Sequence, residues 1–356
     1  MLNHQKQRGL RITPLLNINK SINFGLVFNF YIMYTTVELQ NIINSELENL
    51  SHFRRTPSEL YKPIEYALKN GGKRLRPVLS LMGCNLFSDE IDVAVKPSIA
   101  FEIFHNFTLL HDDIMDNAPI RRNQPTVHSK WNANVAILSG DAMLVIAYHL
   151  LTDVPAGLQK SVLDIFSTTA LEVCEGQQYD MNFEKTALTT EEEYLEMIRL
   201  KTSVLIAAAL KVGALLGGSP DKEAGELYRF GINLGMAFQL QDDLLDTYGT
   251  SEFFGKKIGG DILMNKKTFL LVKALQLAGK SDLDNLNKLM HEEKNSEKKI
   301  SGVIKIYNNL DIAGITGQKI SEYFSAANKN MNNINAAPER KKNLIFFTKK
   351  LISRQI

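Results

Sequence analysis

The pattern Asp-Asp-x-x-Asp occurs twice in this chain, at Asp112-Asp113-Ile114-Met115-Asp116 and at Asp242-Asp243-Leu244-Leu245-Asp246, 130 residues apart. Each copy lies in sequence whose apolar residues recur at helical spacing. On a helix the first and last aspartates of a triplet stand one turn apart on one face, with the middle one beside them. Two carboxylates about 4 Å apart repel by about 4 kcal/mol at an effective dielectric near 20. A solvated acidic face would relieve that repulsion, but both triplets sit in apolar sequence, such as Phe107-Thr108-Leu109-Leu110 just before the first. Half-buried helices whose carboxylates line a cleft are therefore expected, with a hard dication to offset the repulsion. Magnesium suits, because it takes one or two carboxylates and completes its octahedron with water and phosphate oxygens. Two facing triplets would then hold several metal ions around one diphosphate.

The remaining sequence favours helices. Period-3.6 patterns dominate from residue 36 onward, strand signals are nearly absent, and most prolines and glycines fall between the periodic stretches. The reading is an all-α protein. With 356 residues, 44% hydrophobic and 22% charged, the chain can build one large core or two domains. A net charge of +2 gives no global case for a nucleic-acid binder. Cys84 and Cys174 match no metal or redox spacing and read as buried thiols of a reducing cytosol. No apolar run is expected to reach the roughly 18–20 residues of a membrane span.

Residues 1–32 differ from the rest: they are basic, Asn-rich and free of acidic residues. They resemble a signal peptide in placing basic residues before an apolar stretch, Phe24 to Ile32. They lack a small-residue cleavage site, and Asn29 interrupts the stretch. Met33 is read as the true start, with 1–32 an over-extended frame or a disordered extension, and a membrane-surface anchor as the alternative. The domain is then 33–356.

Along that domain, a helix over 59–69 ends at Asn70-Gly71-Gly72, and Lys73-Arg74-Leu75-Arg76-Pro77 follows. The glycine pair lets backbone and cations close on a phosphate. The helix of the first triplet is expected from Pro97 to Asp116. His105 lies seven residues before Asp112, about two turns, so on the same face. Arg121 and Arg122 point to different sides, so each can serve a different anion. Helices are expected within 132–155 and over 160–185, the latter carrying Glu175-Gly176-Gln177-Gln178-Tyr179-Asp180 near its end. Lys201-Thr202-Ser203 is placed inside a long apolar helix, where a lysine needs an anion. The second triplet's helix is expected over about Ala224 to Thr247. Beyond it, the Gly-rich basic stretch Phe254-Gly255-Lys256-Lys257-Ile258-Gly259-Gly260-Asp261 leads to Asn265-Lys266-Lys267-Thr268 and reads as a lid that closes on phosphate. Residues 285–356 read as amphipathic helix with a structural basic tail.

The segments GGKRLRP, LLHDDIMD with its following Arg pair and PTVH, GDAML, EGQQYD, KTS, FQLQDDLLD, and GKKIGGD with NKKT resemble, in kind and in order, the trans-type (head-to-tail) isoprenyl diphosphate synthases. That family includes farnesyl and geranylgeranyl diphosphate synthases, and the likeness covers about residues 36–356. Asn123 and Asn265 depart from it, since many members carry Gly there; Asn tolerates left-handed backbone. The resemblance implies the isoprenoid synthase fold, a single all-α domain of about ten or more helices around a central cavity. It also implies a homodimer, while the charge, the apolar runs and the cysteines point to no nucleic-acid partner, no stable membrane insertion and a cytoplasmic location.

By the same resemblance, Asp112 and Asp116 from one helix and Asp242 from the other bind about three magnesium ions on the allylic diphosphate. Asp113, Asp243 and Asp246 act directly or through water. Arg121, Lys201, Lys266 and one of Lys256 or Lys257 hold the same diphosphate. Lys73, Arg76, His105 and Arg122 hold isopentenyl diphosphate. Thr202 and Gln239 lie where a developing carbocation needs oxygen dipoles, and Phe238 lies against the isopentenyl unit. Catalysis is then electrostatic stabilisation of separating charge. Phe107, about 7.5 Å along the helix from Asp112, resembles a floor that stops the growing chain, while Thr108 leaves room. A short product, C15 or C20, is expected. The rivals are a class I terpene cyclase, which needs no second diphosphate pocket, and a non-catalytic partner subunit, which usually lacks one Asp motif.

Overall fold

The first helix begins where a threonine satisfies its open amides. The Glu38 N–H donates to Thr35 Oγ1 (3.2 Å) and the Thr35 N–H donates to the Glu38 carboxylate (2.7 Å), a capping box that starts α1 (Thr36–Glu48). Thr190 and Glu193 form the same box ahead of α8 (Glu191–Ile198). Between these lie α2 (Ser58–Lys69), α3 (Leu75–Asn85), α4 (Asp92–Met115), α5 (Val127–Lys130), α6 (Ala133–Leu151) and α7 (Ala156–Lys185). Beyond α8 come α9 (Val204–Leu216), α10 (Asp221–Tyr248), α11 (Gly260–Leu263), α12 (Phe269–Leu277), α13 (Lys280–His291), α14 (Ser296–Asn309), α15 (Ile312–Asn333) and α16 (Pro338–Ile352). The computed structural model describes residues 31–51, 55–186, 188–249, 259–291 and 294–352. The expected 1–32 extension, up to residue 30, and the lid lysines Lys256 and Lys257 lie outside them.

The fold is the expected all-α one. Among the described residues the exception is a two-stranded hairpin, Ile120–Arg121 (β1) with Gln124–Pro125 (β2), antiparallel with Arg121 opposite Gln124. Arg122 and Asn123 turn it with φ of 52° and 60°. Positive φ at both central residues matches the twist of the strands, so the left-handed tolerance expected of Asn123 is in use.

Two apolar clusters fill the interior. One gathers α1–α7, α9 and the first half of α10 through Leu227, Phe230 and Leu234. The other gathers α8, α12–α15 and the second half of α10 through Met236, Leu240 and Leu244. Helix α10 therefore belongs to both, packing on α9 and α15, while α4 packs on α6 and α3 on α9. At the far seam, Arg340 of α16 reaches the Asn85 carbonyl (2.7 Å) and Asp89 (2.5 Å), closing the C-terminal end onto α3.

Four expectations need correction. Helix α4 starts at Asp92, not Pro97; the proline costs one amide near the helix start, and the apolar run on either side carries the helix through. Lys201 lies not in a regular helix but in a π-helical segment, Arg199–Ser203, between α8 and α9. Cys174 is exposed rather than buried. Helix α6 is long and apolar enough to cross a membrane by length and composition, with mean hydropathy 1.5 over its best window. It also carries Asp141 and packs on α4, as a core helix does.

Candidate active site

Helices α4 and α10 bring the two Asp triplets to one cavity of about 920 Å³. Its wall includes Asp112, Asp242 and Asp246, together with Lys73, Arg76, His105, Arg121, Arg122, Lys201, Thr202, Phe238 and Gln239. These residues come from stretches up to 173 positions apart (Lys73 to Asp246), so the sequence-level grouping is spatial as well. Phe107 and Thr108 line the same cavity.

The triplets do not present all six carboxylates. Asp113 is buried and accepts from Arg121 Nε (2.6 Å). Asp243, 4% exposed, accepts from the Tyr194 hydroxyl, from Gln239 Nε2 (3.0 Å) and from the Phe269 N–H (3.3 Å). Burial, reinforced by Asp261, pushes its carboxyl up to about 7 against those three donors. Burial also raises Asp112, with Lys201 opposing the shift. Asp246 lines the cavity and accepts from the Asp261 N–H (2.9 Å), tying the start of α11 to α10. Asp116 ends α4 and is exposed.

Two glycines permit the approach of the cationic elements. A Cβ at Gly176 would lie 2.4 Å from the Lys201 backbone nitrogen. The missing side chain lets α7 lie directly on the π segment, so Lys201 and Thr202 both reach the cavity. Lys201 Nζ then meets Asp180, one turn beyond Gly176, at 2.6 Å. A Cβ at Gly72 (φ +136°) would lie 2.9 Å from Arg122 Nη1, and Arg122 donates to the Gly71 carbonyl. The Gly-Gly turn thus folds around one of the arginines.

The Lys73 side of the cavity is built for an anion. Arg76 Nε is buried without a hydrogen-bond partner, and burial, reinforced by Arg122, pushes the guanidinium down to about 10. Burial and the fields of Arg76, Arg122 and Arg121 hold His105 well below its usual range. Arg74 takes no part: it is buried against Glu102 (2.8 Å) and the Leu68 carbonyl (2.6 Å). An orphaned buried donor in the field of Arg122 is costly until an anion arrives.

At the opposite wall, Thr202 Oγ1 donates to Gln239 Oε1 (3.0 Å) while Gln239 Nε2 donates to Asp243. The carboxylate fixes which way the amide points. Lys266 lies outside the cavity lining, with an exposed side chain. Partial desolvation lowers the ammonium, but Asp261, Asp180, Asp243 and Asp116 outweigh that and raise it. Asp180, unassigned in the sequence reading, stood in the EGQQYD segment, one helical turn after the glycine that Lys201 needs.

Among the described residues no three Asp, Glu, His or Cys side chains converge into a ready-made metal cage. Instead, Asp112 of one helix and Asp242 and Asp246 of another line one cavity beside an anion pocket. That donor set fits a hard dication completed by water and phosphate oxygens.

The polyprenyl synthetase family profile matches residues 57–307. The chain belongs to the polyprenyl synthetase family. A geranylgeranyl diphosphate synthase from Methanosarcina mazei is 43% identical over 230 residues, 64% of this chain and 71% of that protein. A crystal structure of a geranylgeranyl pyrophosphate synthase superposes with a TM-score of 0.85 at 42% identity, covering 91% of this chain and 100% of the other. A polyprenyl synthase from Caulobacter crescentus CB15, complexed with calcium and isoprenyl diphosphate, gives 0.81 at 26% identity, covering 90% and 97%. The fold is that of the isoprenoid synthases, and this polyprenyl synthetase is a prenyltransferase of the short-chain trans type.

Proposed function

We propose that this polyprenyl synthetase condenses isopentenyl diphosphate with allylic diphosphates, head to tail, to an all-trans C20 diphosphate, with magnesium as its metal. The observation that carries this is one cavity lined both by Asp112, Asp242, Arg121 and Lys201 and by Lys73, Arg76, His105 and Arg122. The first group is assigned to the allylic diphosphate and the second to isopentenyl diphosphate. A terpene cyclase has no use for the second site, and a non-catalytic subunit has no use for both Asp triplets.

Asp112, Asp116 and Asp242 would hold magnesium, with Asp246 beside them. Magnesium, when bound, neutralises the departing diphosphate. Lys201 and Arg121 add cationic contacts, each aimed by a carboxylate behind it, Asp180 and Asp113. As the allylic C–O bond breaks, the oxygens of Thr202 and Gln239 stabilise the developing positive charge. Arg76, His105, Lys73 and Arg122 fix the second substrate so that its double bond meets the allylic carbon. The proton lost in forming the new double bond goes to the departing diphosphate. Asp113 and Asp243 position neighbours rather than bind metal.

Chain growth runs down α4 toward Phe107. That ring is braced by Phe104 (5.5 Å between centroids) and by His111 (4.7 Å), a stiff floor. Thr108 beside it gives the room for C20. The two geranylgeranyl diphosphate synthases named above support the same length. The enzyme is proposed to be a cytoplasmic homodimer: α6 exposes Ile137, Leu138 and Val145, and α7 exposes Leu171. A second copy would cover these two faces; a monomer in light scattering would exclude it.

The test uses magnesium, labelled isopentenyl diphosphate and C5, C10 or C15 primers, with dephosphorylated products sized by chromatography. A C20 stop from each primer is expected, lengthening in Phe107→Ala. A C15 stop would refute the C20 assignment, and no condensation with any primer would refute the catalytic reading.

A further inference from the structure

Lys299 is a buried cation that the mechanism leaves unused. It stands on α14, is 6% exposed, and donates to Asn265 Oδ1 (2.5 Å) and to the Met290 carbonyl (3.0 Å). Burial lowers its ammonium. Burying a charge against neutral oxygens is costly, so an apolar side chain of the same length would serve a purely packing role better.

Its partner occupies a constrained position. Asn265 has φ of 55°, in the left-handed region that glycine enters freely and asparagine only tolerates. The turn closes through the Asn265 N–H on the Ile262 carbonyl (3.2 Å) and the Lys266 N–H on the Asp261 carbonyl (2.9 Å). Lys266 follows at once, within the field of Asp261, Asp180, Asp243 and Asp116. A one-residue relaxation at Asn265 would therefore redirect the Lys266 ammonium.

We propose that Lys299 is a positioning residue: through the Asn265 side chain it anchors the left-handed turn that aims Lys266 at the allylic diphosphate. This rests on the reading that Lys266 grips that diphosphate. Here the asparagine and the buried lysine act as a pair, 34 residues apart.

The pair can be tested by steady-state kinetics on full-length K299M, N265A, N265G and the N265G/K299M double variant. KM for the allylic primer and KM for isopentenyl diphosphate are measured separately, alongside thermal melting. K299M is expected to raise the primer KM about tenfold while the isopentenyl KM moves less than about twofold. N265A should do the same, since it loses both the acceptor and the left-handed tolerance. In the N265G background, adding K299M should change the primer KM by less than about twofold. A natively melting K299M with unchanged primer KM overturns the proposal, as does a K299M effect undiminished by N265G. If K299M fails to fold, a natively melting N265A with unchanged primer KM overturns it. A parent enzyme that condenses no primer refutes the functional reading instead; magnesium-dependent binding of inorganic diphosphate by the same variants then decides the inference.

Discussion

The two Asp-rich helices write the same five-residue pattern and use it differently. In α4 the middle carboxylate, Asp113, pairs with a charge: Arg121 answers it at 2.6 Å across the hairpin that follows. In α10 the middle carboxylate, Asp243, accepts hydrogen bonds from neutral donors, the Tyr194 hydroxyl, the Gln239 amide and the Phe269 N–H. The first arrangement aims a cation at the cavity. The second ties α8, α10 and α12 together and orients an amide whose oxygen lines the cavity. A triplet is thus not a set of three equivalent ligands. Asp112, Asp242 and Asp246 reach the cavity, and each middle residue turns back to hold the wall.

The largest effects should separate outer from middle positions. Asp112→Asn and Asp242→Asn are each expected to lower kcat on the order of 10²–10³-fold, the cost of removing one preorganised electrostatic contact, with thermal melting nearly unchanged. Equal kcat losses at Asp112 and Asp113 would break the distinction. Next comes Asp243→Asn. An amide faces three donors that one oxygen cannot satisfy, so unfolding free energy should fall by about 1–3 kcal/mol, measured by denaturant titration without metal. Gln239 also loses its orienting acceptor, so kcat should fall about tenfold. An Asp243→Asn enzyme as stable as the parent would show that the donor cage carries no load.

Much of this was legible in the chain. The Asp triplets, the Gly-Gly-Lys-Arg turn and the arginine pair are local patterns whose spacing fixes which side chains can share a face. All-α architecture followed from one period repeated across the sequence. What stayed hidden depends on long-range contact. Asp112 and Asp113 are the same residue type side by side, and only the position of the hairpin decides that Arg121 takes the second. Arg74 and Arg76 differ likewise: Glu102, on another helix, neutralises one and leaves the other's Nε unpartnered. The π segment at Lys201 could not be read from its own residues, because Gly176 on α7 makes room for it. Asn265 was visible as a residue that tolerates left-handed backbone, but its anchor Lys299 was not.

The smallest effect sharpens the comparison most. Asp113→Asn keeps a carbonyl oxygen that can still accept from Arg121 Nε, and Arg121 is about one-third exposed. Water therefore screens what is lost, and a half-exposed pair of this kind contributes within about 1 kcal/mol of stability. Its kinetic signature should be directional. If Asp113 serves to aim Arg121 at the allylic diphosphate, the primer KM rises a few-fold, about 1 kcal/mol or less of binding, while the isopentenyl KM and kcat hold. If Asp113 instead ligates metal, kcat falls with that of Asp112→Asn and the magnesium concentration for half-maximal rate rises with it. Titrating magnesium against Asp113→Asn and Asp112→Asn in parallel separates the two: a shifted half-maximal concentration in Asp112→Asn alone places the metal on the outer residue and the arginine on the middle one.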